Sequence, residues 1–119
     1  EANRTGSLIE IVYPEDTNSQ GTLFGGHALS LMDRLAFILA SRFTRQPVVT
    51  ACSEKVEFKS PVKQGELTGS VIHVGRTSLR LRIDMHREDL LTGDRSLCSP
   101  GEFVMVTVDD EGRPTPIAK

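Results

Sequence analysis

Cysteine is scarce in these 119 residues, with Cys52 and Cys98 the two present. They have neither the paired spacing of a metal site nor the density of a disulfide scaffold, so reduced thiols in a cytosolic protein are expected. Long hydrophobic runs are missing as well. Asp33 and Arg34 interrupt the longest apolar candidate, and nothing approaches the roughly 18 uncharged residues of a membrane span, so no membrane partner is expected. The opening residues EANRTGS lack both a basic start and an apolar stretch, and no signal peptide is visible. Repeats, low-complexity segments, a GxSxG elbow and a Walker loop are all absent. His27, His73 and His86 show no metal-ligand spacing, so no metal site is expected.

What is present suits one domain spanning 1–119, with residues 1–7 and 113–119 as loose ends. A chain of this length buries roughly two-thirds of its unfolded surface, which is enough for one core and not for two. Net charge is −2, but it is unevenly spread: two basic against five acidic side chains over 1–41, nine against four over 42–87, and three against seven over 88–119. The basic middle band would attract an anionic ligand, or is a set of solvated strand faces balanced by acidic loops. Nucleic acid is not the expected partner, because no aromatics interleave with the basic residues and the isoelectric point is acidic, near 5.9.

Hydrophobic period sets the order of elements. LIEIVY at 8–13 reads as a short strand ended by Pro14, and PEDTNSQGT supplies loop chemistry. A helix follows, opened by Gly25-Gly26 and closed before Pro47, with Leu29, Met32, Ala36, Leu39 and Phe43 at spacings of three and four and Leu31, Leu35 and Ile38 on the flank. Downstream the period becomes two. In SLRLRIDMH, Leu79, Leu81, Ile83 and Met85 share one face and Arg80, Arg82, Asp84 and His86 the other, which makes His86 a surface residue. Four strands are expected here, at about 48–59, 66–75, 77–88 and 102–109. One apolar helix and one antiparallel sheet make an α+β fold, in which a curved sheet covers most of the helix and a second subunit covers what remains.

Asp33 falls inside the apolar belt of that helix. A carboxylate taken out of water costs several kcal/mol unless it is paired or protonated, so it is expected to have a partner or a reaction to serve. Ser30, one turn earlier, could share its face, whereas Arg34 points elsewhere. Gly25, Gly26 and His27 begin the helix, where unpaired N–H groups and the helix dipole favour an oxygen gaining negative charge; the glycine pair equally suits tight packing. Gly75, Arg76, Thr77 and Ser78 form a hairpin turn that also suits contacts to phosphate or amide groups.

Four segments together carry a family resemblance: DTNSQGTLFGG with the MD that ends at Asp33, TACSEKVEFKSPVKQGE (50–66), VGRTSL (74–79) and FVMVTVDDEGRPTPI (103–117). Over nearly the whole chain the sequence resembles the hotdog-fold acyl-CoA thioesterases, in the subgroup of the cytosolic acyl-CoA hydrolases and their single-domain bacterial relatives. The resemblance implies a five-stranded antiparallel sheet wrapped round one long central helix, paired edge to edge into a homodimer and commonly assembled as a trimer of dimers. It implies an acyl-CoA substrate, a cytoplasmic location, Asp33 as the reacting carboxylate, and Asn18 completing the site from the other subunit. Lys59, Ser60 and Pro61, with the turn Gly75, Arg76, Thr77 and Ser78, would lie along the coenzyme A arm. There are departures. Glu54 stands where aspartate is frequent, a change expected to lie outside the reaction. Pro100-Gly101 falls within the last strand and predicts an interruption or bulge, since proline removes a ladder donor.

On that reading Asp33 activates water as general base, or attacks directly to form an anhydride, while the amide near Gly26 stabilises the oxyanion. No cofactor is called for; coenzyme A is part of substrate and product. Two alternatives differ in class. A hotdog hydratase or dehydratase would need a histidine working with the acid, and none of the three pairs evidently with Asp33. A non-catalytic acyl-CoA sensor would need a DNA-binding module, for which the seven residues before the first expected strand leave no room.

Overall fold

The computed structural model describes residues 4–11, 15, 17, 19, 25–57, 64–89 and 91–118, without the side chains of 10, 11 and 64–67. Its elements are β1 (Thr5–Ile11), α1 (Gly25–Thr44), β2 (Val48–Glu54), β3 (Gln64–Val74), β4 (Ser78–Glu88) and β5 (Arg95–Thr107). The strands form one sheet in the order β1-β3-β4-β5-β2, every pairing antiparallel, with β1 and β2 at the two edges. This is the hotdog arrangement: α+β, one helix against a curved five-stranded sheet.

The alternation of β4 does the expected work. Leu79, Leu81, Ile83 and Met85 are buried, and the residues between them are not. They meet Met32, Leu35, Ala36 and Leu39 on α1 and Phe103 and Met105 on β5, all in one core cluster. Contact with β1 and β3 is close. A Cβ on Gly6 would lie 2.6 Å from Leu39 Cδ2, and one on Gly69 would lie 2.6 Å from Leu39 Cδ1 and 2.7 Å from Ile83 Cδ1, so the absence of a side chain at these two positions lets Leu39 seat between the strands. At its C-terminus the helix ends where Arg45 turns to φ 55, after the Thr44 hydroxyl has donated to Ala40 O at 2.8 Å, and Pro47 follows.

The face of α1 that the sheet leaves open carries the exposed Ser30, Arg34, Phe37 and Ile38. Several expectations are corrected. Asp33 is half-buried at the boundary between core and open face, not inside the apolar belt. β1 begins at Thr5, not Leu8, and pairs from Thr5↔Ser70 onward, so residues 5–7 are not a loose end. The segment 113–118 is not loose either: Thr115 N donates to Thr107 O at 2.9 Å and Ile117 N to Arg76 O at 2.8 Å. β5 runs without interruption through Pro100-Gly101, and the irregularity falls at Cys98, between the rungs Met85↔Ser99 and His86↔Leu97. Within a strand the N and C=O of one residue point the same way. Pro100 O accepts from Glu57 N at 3.1 Å, beyond the end of β2, so its missing N–H lies on that side and the ladder with β4 loses nothing.

Candidate active site

Asp33 projects from the middle of α1 toward β2, where the Thr50 hydroxyl donates to its Oδ1 at 2.6 Å. The same hydroxyl oxygen lies 3.4 Å from Met105 Sδ, but it has one proton, and the short contact to a carboxylate oxygen is the stronger of the two. A bulge places Thr50. The register shifts between Thr50 (opposite Met105) and Cys52 (opposite Val104), so one extra residue, Ala51, separates an inward threonine from an outward cysteine and glutamate. Sequence periodicity cannot show such a bulge, and nothing in the residue pattern marks Thr50 as part of the site.

Gly26 and Asp33 are seven residues apart, which returns them to nearly the same angle on the helix. Their Cα atoms are separated along the axis by about 10 Å, and a helical side chain leans toward the N-terminus, which shortens the gap for the carboxylate. No acidic residue occupies the first turn, so no side-chain charge of the opposite purpose competes with its N–H groups. Gly25 and Gly26 are exposed and His27 is half-buried. A Cβ on Gly26 would meet nothing within 4 Å, so tight packing inside the chain does not account for this glycine.

The turn Gly75–Ser78 is well formed, with Gly75 N donating to Ser78 O at 2.7 Å, but it sits at the other end of the helix. Thr77 O accepts from Thr107 N at 2.9 Å, and Thr107 faces Val48, just past the C-terminus of α1. Between Gly26 and Thr44 the helix rises about 27 Å. Within one chain the structure therefore brings Asp33, Thr50 and the first turn of α1 to one side and leaves Arg76 and its neighbours apart. Asn18, Lys59, Ser60 and Pro61 lie outside the described residues.

Glu54 is on the outer face of the sheet, away from Asp33. It stands directly opposite Glu102, and Arg80 lies between them, donating to Glu54 at 3.2 Å and to Glu102 at 3.0 Å. The Arg80 guanidinium holds the Glu54 carboxyl below the usual glutamate range. Partial desolvation, then the hydrogen bond to Glu54, raise the neighbouring Cys52 thiol above the ordinary value, which disfavours a reactive thiolate there. Among the described residues no group of three metal-ligating side chains occurs, and no helix is long and apolar enough to cross a membrane.

Comparison with known proteins places this geometry among relatives. A model of the thioesterase superfamily matches residues 20–93. The uncharacterized acyl-CoA thioester hydrolase YkhA of Bacillus subtilis is 36% identical over 111 residues, covering 91% of this chain; the chain spans 64% of that protein's length. An apo-hexameric acyl-CoA thioesterase superposes with a TM-score of 0.90 at 39% identity, over 95% of this chain and 74% of the other. The acyl-CoA hydrolase of Staphylococcus aureus, solved with butyryl coenzyme A, coenzyme A and coenzyme A disulfide, gives 0.90 at 27% identity, over 98% and 73%. Forms of that enzyme with one threonine, one asparagine or one aspartate changed to alanine match with TM-scores of 0.89, 0.91 and 0.87.

Proposed function

This chain belongs to the thioesterase superfamily, and from that premise we propose that it hydrolyses the thioester of an acyl-CoA to the free acid and coenzyme A. The observation that carries the reading is the carboxylate of Asp33, half-buried in the middle of α1 and held by Thr50 at 2.6 Å. The Staphylococcus aureus substitutions support it: there the altered asparagine and aspartate are 15 positions apart and the aspartate and threonine 17 apart, the same separations as Asn18, Asp33 and Thr50 here.

In the proposed reaction Thr50 occupies Oδ1 and fixes the plane of the carboxylate. Asp33 then takes a proton from water through Oδ2 as the water oxygen attacks the thioester carbon. Charge gathering on the carbonyl oxygen is met by the N–H groups of the first helical turn, at Gly26. The tetrahedral species collapses with cleavage of the C–S bond, and the proton held by Asp33 passes to the departing coenzyme A sulfur. The hydratase reading gains no support, since His73 and His86 project from the outer face of β3 and β4 and His27 lies six residues before Asp33, on another side of the helix.

The 75–78 turn, and Asn18 with Lys59, Ser60 and Pro61, belong to the same proposal. The turn lies at the far end of α1 from the first helical turn, and we place it along the coenzyme arm of a site that a second copy completes. The exposed Phe37, at 49% and one turn along α1 from Asp33, supplies apolar surface beside it for that copy, and the exposed Ile38, at 37%, extends that surface round the helix. A homodimer, assembled further into a trimer of dimers, accords with the hexameric relative; the place of work would be the cytoplasm.

Thiol release from a series of short, medium and long acyl-CoAs tests the function, with Asp33→Asn as the control. The substitution is expected to lower kcat by about 10²- to 10⁴-fold, the usual scale for loss of a general base. A folded Asp33→Asn protein with near-normal turnover would sink the assignment.

A further inference from the structure

The chain after β5 returns to the 75–78 turn. It reverses over residues 109–113, where Asp109 Oδ1 accepts from Glu111 N at 2.9 Å and Arg113 N at 3.0 Å and Gly112 adopts φ 80. From there it runs back extended, bridging at Val108↔Pro114. In this stretch Pro114 and Pro116 have no N–H to satisfy, while the N–H of the residue after each is used: Thr115 donates to Thr107 O at 2.9 Å and Ile117 to Arg76 O at 2.8 Å. Gln46, just past the C-terminus of α1, clamps the far side, donating from Nε2 to Pro116 O at 3.1 Å and accepting from Ala118 N at Oε1 at 2.8 Å. The Ile117 side chain is 9% exposed and joins the core cluster. The buried Thr107 hydroxyl lies between Thr115 O and Thr77 O, so it links strap and turn through one shared proton.

We infer that the strap 114–118, with Gln46 as its clamp, positions the Gly75–Ser78 turn for the coenzyme portion of the substrate, and so sets affinity for that portion and not the rate of the chemical step. This rests on the reading that the turn binds the coenzyme arm. A hairpin tip closed by the one bond from Gly75 to Ser78 would be mobile. Here the carbonyls of both central residues, Arg76 and Thr77, are tied from outside the hairpin, so the exposed Arg76 side chain starts from a fixed backbone. A ligand that meets a held turn does not have to order it on binding.

Gln46→Ala removes both clamp bonds at a site with exposed hydrogen bonds, and the fold should survive. Loss of about one net hydrogen bond's worth of ordering predicts a rise in KM for an acyl-CoA of about fivefold, with kcat unchanged. KM for the same acyl group on pantetheine should not move. Amide exchange at Ile117 should quicken, and Gln46→Glu, which keeps the acceptor and loses the donor, should fall between. Arg76→Ala is the reference, raising KM for the coenzyme A substrate alone. If Arg76→Ala does so and Gln46→Ala does not, the strap's role is overturned and the turn's is kept. If neither changes KM, the reading of the turn fails and takes the inference with it. Equal loss on both substrates, or a fall in kcat, would mean that Gln46 serves the fold at large, and would overturn the inference as well.

Discussion

Replacing Thr50 by valine exchanges a hydroxyl for a methyl on the same branched side chain, in a strand where valine is favoured. The neighbouring contact with Met105 Sδ remains apolar packing, so the fold should be undisturbed. What disappears is the 2.6 Å bond to Asp33. A hydrogen bond to a carboxylate contributes about 1.5–3 kcal/mol. If that contact orients Asp33 as the water is deprotonated, the full amount appears in the barrier, and at 1.36 kcal/mol per decade the rate falls about 10- to 150-fold. The assay is thiol release from one good acyl-CoA substrate with kcat and KM fitted separately, and the loss should fall in kcat. Thr50→Ser, which keeps the hydroxyl, should stay within a few-fold of the parent. The cycle with Asp33→Asn makes the reasoning strict: once the carboxylate is gone, removing the hydroxyl should cost little more. A folded Thr50→Val protein within twofold of the parent, or an undiminished loss in the Asp33→Asn background, would refute the assigned role.

Gly69→Ala would press a methyl against Leu39 and Ile83 in the core and should lower stability by about 1–3 kcal/mol in denaturant titration; Gly26→Ala, whose Cβ meets nothing, should not, and equal shifts would contradict the packing. Arg80 depresses the Glu54 pKa, so that pair's contribution is complete above the ordinary glutamate range and is lost as pH falls through the lowered value. Melting temperatures of the parent and Glu54→Gln should therefore differ at neutral pH and converge in acid, and a gap that widens in acid would reverse the sign. For the shared site, Asn18→Ala and Asp33→Asn should each be nearly inactive, yet random reassociation of equal amounts should recover about a quarter of parental activity, since half the dimers carry one intact site in two; no recovery after verified mixing would separate Asn18 from Asp33.

Two kinds of element differ in how well the residues announce them. β4 and α1 were legible because burial there is set by side chains: the alternation from Leu79 to Met85 and the three-and-four spacing from Leu29 to Phe43 are the patterns of their buried faces. β1 starts three residues before the expected Leu8 for the opposite reason. Thr5, Gly6 and Ser7 join the sheet through backbone rungs, and Gly6 serves by lacking a side chain, so no hydrophobic period marks them. The strap at 114–118 misled in the same way. Its polar residues suggest a loose tail, but in an extended edge segment every second N–H points away from its partner, and those are the positions proline fills. Proline there also lowers the entropy of the unfolded chain, which favours the ordered strap.

The site was legible only in part, and the reason lies in which residue supplies its meaning. Asp33 stood out because a carboxylate on an apolar helix is costly wherever the helix packs. Thr50 did not, since a threonine in a strand is ordinary, and what makes this one specific is an extra residue at Ala51 that no pattern of types encodes. The turn at Gly75–Ser78 was visible as a turn, but its distance from the first turn of α1 follows from strand order and helix length, and neither is a local property. The first turn of α1 and the Gly75–Ser78 turn lie at opposite ends of a helix that rises about 27 Å. If the turn holds the coenzyme arm, either it serves the Asp33 of its own chain at the far end of an extended arm, or a second copy brings its own turn to the first copy's Asp33. The half-exposed Phe37, one turn along α1 from Asp33 on the same face, favours the second arrangement, because the surface such a copy would cover is the surface that carries the carboxylate.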